Sequence, residues 1–235
     1  MEHKRLTLFA GHYGSGKTNI AVNYALLLAA EGKPVAIADL DIVNPYFRTK
    51  DSAAELNAAG IHLISPQFAN TNVDLPALPA EAYRLVEDKK TFAVMDIGGD
   101  DRGAYALGRY TPFILEENNY RMAFVANPCR PLTRTPEEAL EVMREIEAAC
   151  SLPFTCIVNN ANLGTETTAE TVREAIPYMQ RLSELSGLPL WLTAAEKAVA
   201  AQLEGSLAPL LPLTLQKKYF DLPEQKAPVA RPLFG

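Results

Sequence analysis

Residues 11 to 18 read Gly-His-Tyr-Gly-Ser-Gly-Lys-Thr, a full match to the G-x-x-x-x-G-K-[ST] pattern. The apolar run Leu6 to Ala10 precedes it and a helical pattern, 17 to 31, follows it. A glycine-rich turn between a buried strand and a helix commits the chain to a β-loop-α unit whose backbone amides face an anion. Lys17 then lies where it reaches the β- and γ-phosphates of a nucleotide, Thr18 where it ligates magnesium, and the helix N-terminus adds its positive dipole. The cradle is formed by Gly11, His12, Tyr13, Gly14, Ser15, Gly16, Lys17 and Thr18, a Walker A loop.

The rest of the chain repeats that unit. Apolar runs at Leu6 to Ala10, Val35 to Asp39, Ile61 to Ile64, Thr91 to Ile97, Met122 to Asn127, Phe154 to Asn159 and Leu188 to Leu192 alternate with helical patterns at 17–31, 51–59, 79–89, 135–150, 166–186 and 195–204. Such alternation predicts an α/β fold: a mostly parallel seven-stranded sheet with helices on both faces. The 235 residues, 48% hydrophobic and 21% charged, suit one domain with a full core. Residues 1–205 are expected to form it, with 206–235 a proline-rich strap or tail carrying Pro209, Pro212, Pro223, Pro228 and Pro232. Ser65 to Pro79 reads as a long loop, either functional or a plain surface excursion.

A formal net charge of -6 supplies no global positive field, so nucleic acid is not an expected partner. Cys129, Cys150 and Cys156 have no C-x-x-C spacing and read as reduced thiols. Ile20 to Ala30 is too short to span a bilayer and no signal-type segment opens the chain, so no membrane anchor is expected and the cytoplasm is the expected compartment.

Strand ends carry the remaining candidates. Asp39-Leu-Asp41 leaves the second strand beside the phosphate loop. Asp41, farther into the loop, is the candidate to orient the attacking water and Asp39 to support magnesium or Lys17; alternatively both cap a turn ahead of Pro45. Asp96 ends a hydrophobic run and is expected to hold magnesium through its waters. Gly99 completes D-x-x-G and lets an amide approach the γ-phosphate as a sensor. Asn159, in Ile157-Val-Asn-Asn-Ala161, offers a donor and an acceptor to a purine edge, or else closes a backbone turn. With no N-K-x-D in the chain, adenine is preferred to guanine.

On GHYGSGKT at 11–18, DLD at 39–41, DIGG at 96–99 and VNN at 158–160, the chain resembles the MinD/ParA/Mrp group of the CobQ/CobB/MinD/ParA nucleotide-binding families over most of residues 5 to 205. The resemblance implies a P-loop ATPase switch using ATP and magnesium at a two-fold dimer interface. It carries Lys17 and Thr18 to phosphate and magnesium, Asp41 to the water, Asp96 to magnesium and Asn159 to adenine. The group's lysine at the second loop position is His12 here, with Arg48 or Arg102 as candidate substitutes; the C-x-x-C and the basic C-terminal helix of other members are absent. The leading expectation is an ATP hydrolase that couples nucleotide state to a protein client through the 39–51 and 96–110 loops, with a nucleotide-dependent homodimer. A small-molecule kinase or ligase with its acceptor pocket at 65–79 and Asp100/Asp101, and a non-catalytic nucleotide-binding scaffold, are the alternatives.

Overall fold

The computed structural model describes residues 2–40, 49–64, 80–98, 101–203, 205 and 209–215, with the backbone alone at 50, 51, 80, 81, 101 and 102. Asp41, Arg48, Gly99, Asp100, the 65–79 loop and the tail from 216 lie outside the described residues, as do the side chains of Asp101 and Arg102.

The strands are β1 (Leu6–Ala10), β2 (Val35–Leu40), β3 (His62–Ile64), β4 (Phe92–Ile97), β5 (Tyr120–Ala126), β6 (Cys156–Asn159), β7 (Leu190–Glu196) and β8 (Leu210–Leu213). The helices are α1 (Lys17–Ala30), α2 (Ala53–Ala58), α3 (Arg84–Glu87), α4 (Asp101–Gly108), α5 (Thr111–Glu117), α6 (Pro136–Cys150), α7 (Ala169–Glu174), α8 (Ile176–Ser186) and α9 (Lys197–Ala201). All strand pairs are parallel, in the order β3-β2-β4-β1-β5-β6-β7-β8. From β1 the chain crosses first to one half of the sheet and then, at β5, to the other. The crevice outside the C-terminal ends of β4, β1 and β5 is therefore the switch point where open α/β sheets bind ligands.

Alternation along the strands builds a core on each face. Leu6, Leu8, Ala10, Met95 and Phe124 face the side covered by α4, α6 and α8, while Phe9, Ile37, Val94 and Val125 meet Ile20, Tyr24 and Leu28 of α1. Helix α1 lies across β1, β2, β4 and β8, which explains why nine of its fourteen residues are buried rather than a single stripe. Helix α6 opens with Thr135 and Glu138 in a reciprocal capping box around Pro136 in its first turn, two orphan amides satisfied by side chains.

Where seven strands are expected, the described residues form eight. β8 falls in the segment read as a strap, because Pro209 and Pro212 look like breakers. At the sheet edge Pro212 is exposed while Leu211 and Leu213 are buried, and a proline is tolerated there because among the described residues no further strand asks for its amide. The stretch 96–110, expected as a loop, contains α4. A Cβ on Gly103 would stand 2.7 Å from the Gly98 backbone, so that helix packs directly against the end of the β4 turn. The helical pattern 166–186 is divided at Ala175, where Pro177 starts α8 instead of continuing α7. Among the described residues no helix is long and apolar enough to cross a membrane.

Candidate nucleotide site

The loop between β1 and α1 turns through three glycines with positive φ, Gly11 at 151°, Gly14 at 75° and Gly16 at 92°. Two of them also mark close approaches. A Cβ on Gly11 would sit 2.6 Å from the Val125 carbonyl oxygen, and one on Gly16 would sit 2.2 Å from Asn160 Nδ2. The loop is thus seated against the ends of β5 and β6. Inside it, Ser15 N–H donates to His12 O at 3.1 Å and Lys17 Nζ donates to the same carbonyl at 3.3 Å. His12 Nδ1 pairs with the Tyr13 carbonyl at 2.9 Å. Lys17 and Thr18 are buried in the first turn of α1, and Tyr13 is exposed at the rim.

Asp39 and Asp96 are register partners on β2 and β4, and Asp96 is the partner of Phe9 on β1. Partners on parallel neighbours point to one face, here the face of α1 and Thr18. Both carboxylates are buried, and Thr49 Oγ1, fully buried at the head of the short 3-10 turn before α2, donates to Asp96 Oδ2 at 3.2 Å. Two carboxylates and the Thr49 hydroxyl at this edge of the sheet form a hard-oxygen donor set. That set suits magnesium, which keeps most of its waters and takes few protein ligands. Among the described residues no cluster of three or more His, Cys, Asp or Glu side chains exists that could hold a metal by itself.

The two asparagines after β6 divide their work. Asn159 is buried and its Oδ1 accepts from Ala161 N–H at 3.1 Å, a local backbone turn. Asn160, read in the sequence only as part of VNN, reaches the phosphate loop: Nδ2 donates to Ser15 O at 2.6 Å and its backbone N–H donates to Ala126 O at 2.9 Å. Asn160 Oδ1 and Ser15 Oγ are buried with no hydrogen-bond partner, so the loop already contains polar atoms that a polar ligand would satisfy. Asn127 ties the β5 turn to the β6 turn, accepting from Cys129 N–H at 3.0 Å and Asn162 N–H at 3.3 Å and donating to Asn162 O at 3.2 Å. Arg130 Nε–H donates to Gly14 O at 2.9 Å. Sequence reasoning missed Asn160, Arg130 and Thr49. The repeated Asn in VNN was the one available signal, and nothing local marks Thr49.

The architecture and this loop together define a P-loop nucleoside-triphosphatase fold. Among solved structures the chain is similar to the cell division protein FtsY from Thermotoga maritima, with a TM-score of 0.50 and 16% identity over 83% of this chain and 63% of that one. It is also similar to chloroplast FtsY from Physcomitrella patens, with a TM-score of 0.52 and 15% identity over 82% and 59% of the two chains. A third is FtsY from Mycoplasma mycoides, at 0.50, 14%, 81% and 60%. The chain spans about three-fifths of the length of these structures. No protein-family profile matches the sequence, and no curated protein does. At such identities the likeness is one of fold.

Proposed function

We propose that the protein is a magnesium- and ATP-binding P-loop ATPase of the MinD/ParA/Mrp kind, a nucleotide-dependent switch acting on a protein client in the cytoplasm. The observation that carries this reading is the register pairing of Asp39 with Asp96. It sets two buried carboxylates side by side on β2 and β4, at the C-terminal edge of the sheet from which the loop bearing Lys17 and Thr18 also leaves. Bound magnesium would neutralise phosphate oxygens there, held by Thr18 and Asp96 with Asp39 in support. Lys17 would bind the β- and γ-phosphates, Asp41 would orient the attacking water and the Gly99 amide would report the γ-phosphate. The free acceptor of Asn160 suits a purine amino group, with Asn159 beside it, and the absence of N-K-x-D favours adenine. A nucleotide-dependent homodimer is part of the reading.

The test is ADP formation by purified protein with Mg-ATP and with Mg-GTP, wild type beside Lys17→Ala. Slow turnover of ATP, abolished in the variant, is expected. Unchanged turnover in Lys17→Ala overturns the site, and preference for GTP overturns the base. Light scattering with a non-hydrolysable ATP analogue is expected to show a doubled mass, and an unchanged mass removes the dimer.

A further inference from the structure

The turn after β5 holds a guanidinium against the phosphate loop. Arg130 Nε–H donates to the Gly14 carbonyl at 2.9 Å, and Nε, Cδ and Cζ lie 3.6 to 3.9 Å from where a Gly14 Cβ would be. The side chain therefore lies along the middle of the phosphate loop. Its own backbone is firmly held. Arg130 N–H donates to Asn127 O at 3.2 Å, Thr133 N–H donates to Arg130 O at 3.2 Å, and Thr133 Oγ1 donates to Asn127 O at 2.8 Å.

Elsewhere in the fold cations meet carboxylates: Arg5 with Lys89 on Glu117, Lys33 on Glu31, Arg181 on Glu137. Arg130 forms no ion pair with a described carboxylate, and Nε is its only side-chain donor with a partner among the described residues. It is nonetheless partly buried. A permanently charged, partly desolvated fork beside a loop built to receive an anion is complementary to that anion. Within 11–18 Lys17 is the one lysine or arginine.

We propose that Arg130 is a phosphate-binding residue of this site, its Nε fixed by Gly14 and its two Nη groups donating to an oxygen of the bound triphosphate. The proposal rests on the nucleotide-binding reading and extends it to a second cation supplied by the β5 turn of the same chain.

The experiment titrates a fluorescent ATP analogue with magnesium into the full chain, comparing wild type with Arg130→Gln and Arg130→Lys at several salt concentrations. Gln keeps an N–H donor for Gly14 and loses the charge; Lys keeps the charge and loses the fork. Arg130→Gln is expected to weaken binding about 10- to 100-fold, the size of a lost charge-assisted hydrogen bond, and to flatten its salt dependence. Arg130→Lys is expected to bind between wild type and Arg130→Gln, keeping the charge as a point donor and losing the fork. Gln binding like wild type, or Lys as weak as Gln, overturns the proposal. If the Gln variant does not fold, Arg130→Lys binding equal to wild type at every salt concentration overturns the proposal, because the fork would then contribute nothing. A wild type that binds no nucleotide would overturn the functional reading itself, a result distinct from either variant outcome.

Discussion

Asn160 Nδ2 donates to the Ser15 carbonyl at 2.6 Å, so one side chain from the turn after β6 holds the phosphate loop that follows β1. These residues are 145 positions apart, and the bond is buried. Asn160→Ala leaves a buried carbonyl without its donor, a cost of about 1–3 kcal/mol. The expected result is a fall in stability by urea unfolding and a loss of about tenfold in nucleotide affinity. Asn160→Asp, which sets a carboxylate against that carbonyl and near bound phosphates, is expected to be worse. Titrating Asn159→Ala in parallel separates the two asparagines. Equal nucleotide binding in Asn159→Ala and wild type would remove Asn159 from the base site.

Gly11 combines φ of 151° with a backbone oxygen where its Cβ would be, 2.6 Å away on Val125. Strand β5 cannot retreat without breaking its pairing to β1. Gly60 has φ of 71° and nothing within 4 Å of its Cβ position, so it isolates the cost of backbone conformation alone. Gly60→Ala is expected to cost about 1 kcal/mol and Gly11→Ala about 3 kcal/mol with loss of nucleotide binding. Equal melting temperatures for the two variants would contradict the seating of the loop on β5.

Thr49 Oγ1 donates to Asp96 Oδ2, with both residues fully buried. Thr49→Val keeps the shape and removes the donor, which is expected to cost about 1–3 kcal/mol because a buried acceptor loses its partner. The magnesium concentration needed for half-maximal ATP binding is expected to rise several-fold, with Thr49→Ser close to wild type. A Val variant with normal magnesium dependence would sever Thr49 from the metal site and leave it a packing residue.

His3 packs against α1, its Nδ1 2.9 Å from Tyr24 Oη and its Nε2 3.1 Å from Glu31. Burial pushes its imidazole below the ordinary value, outweighing the upward pull of Glu31. The contacts suit the neutral ring: Nδ1 accepts from the Tyr24 hydroxyl and Nε2–H donates to Glu31. A lowered folded value means that the unfolded chain takes up the proton first. The His3 contribution is therefore complete above about pH 6.5 and declines as pH falls through the lower folded value. Urea unfolding at pH 7.5 and 5.5 is expected to show a smaller loss for His3→Gln than for wild type. Identical losses would leave His3 without a role in the pH dependence.

Much of the site was legible because its chemistry is local. Three spaced glycines, a lysine and a threonine define the loop wherever a strand feeds a helix. Hydrophobic runs ending in Asp39 and Asp96 announced carboxylates at strand ends. β8 and α4 were not legible, because Pro209, Pro212, Gly103 and Gly108 argue locally against regular structure. Pro212 is accommodated by its place at the sheet edge, and Gly103 by its contact with Gly98, neither of which is visible along the chain.

By itself the sequence determined the α/β class, the phosphate loop and the strand ends that bear acidic and amide side chains, since backbone conformation and hydrophobic alternation act over a few residues. Only the tertiary structure decided that Asp39 stands beside Asp96, that Thr49 bonds the latter, and that Asn160 and Arg130 reach Ser15 and Gly14. Those pairings depend on strand order and register. Both are set by how two apolar faces bury against helices from distant parts of the chain, a property of the whole packing that no short segment carries.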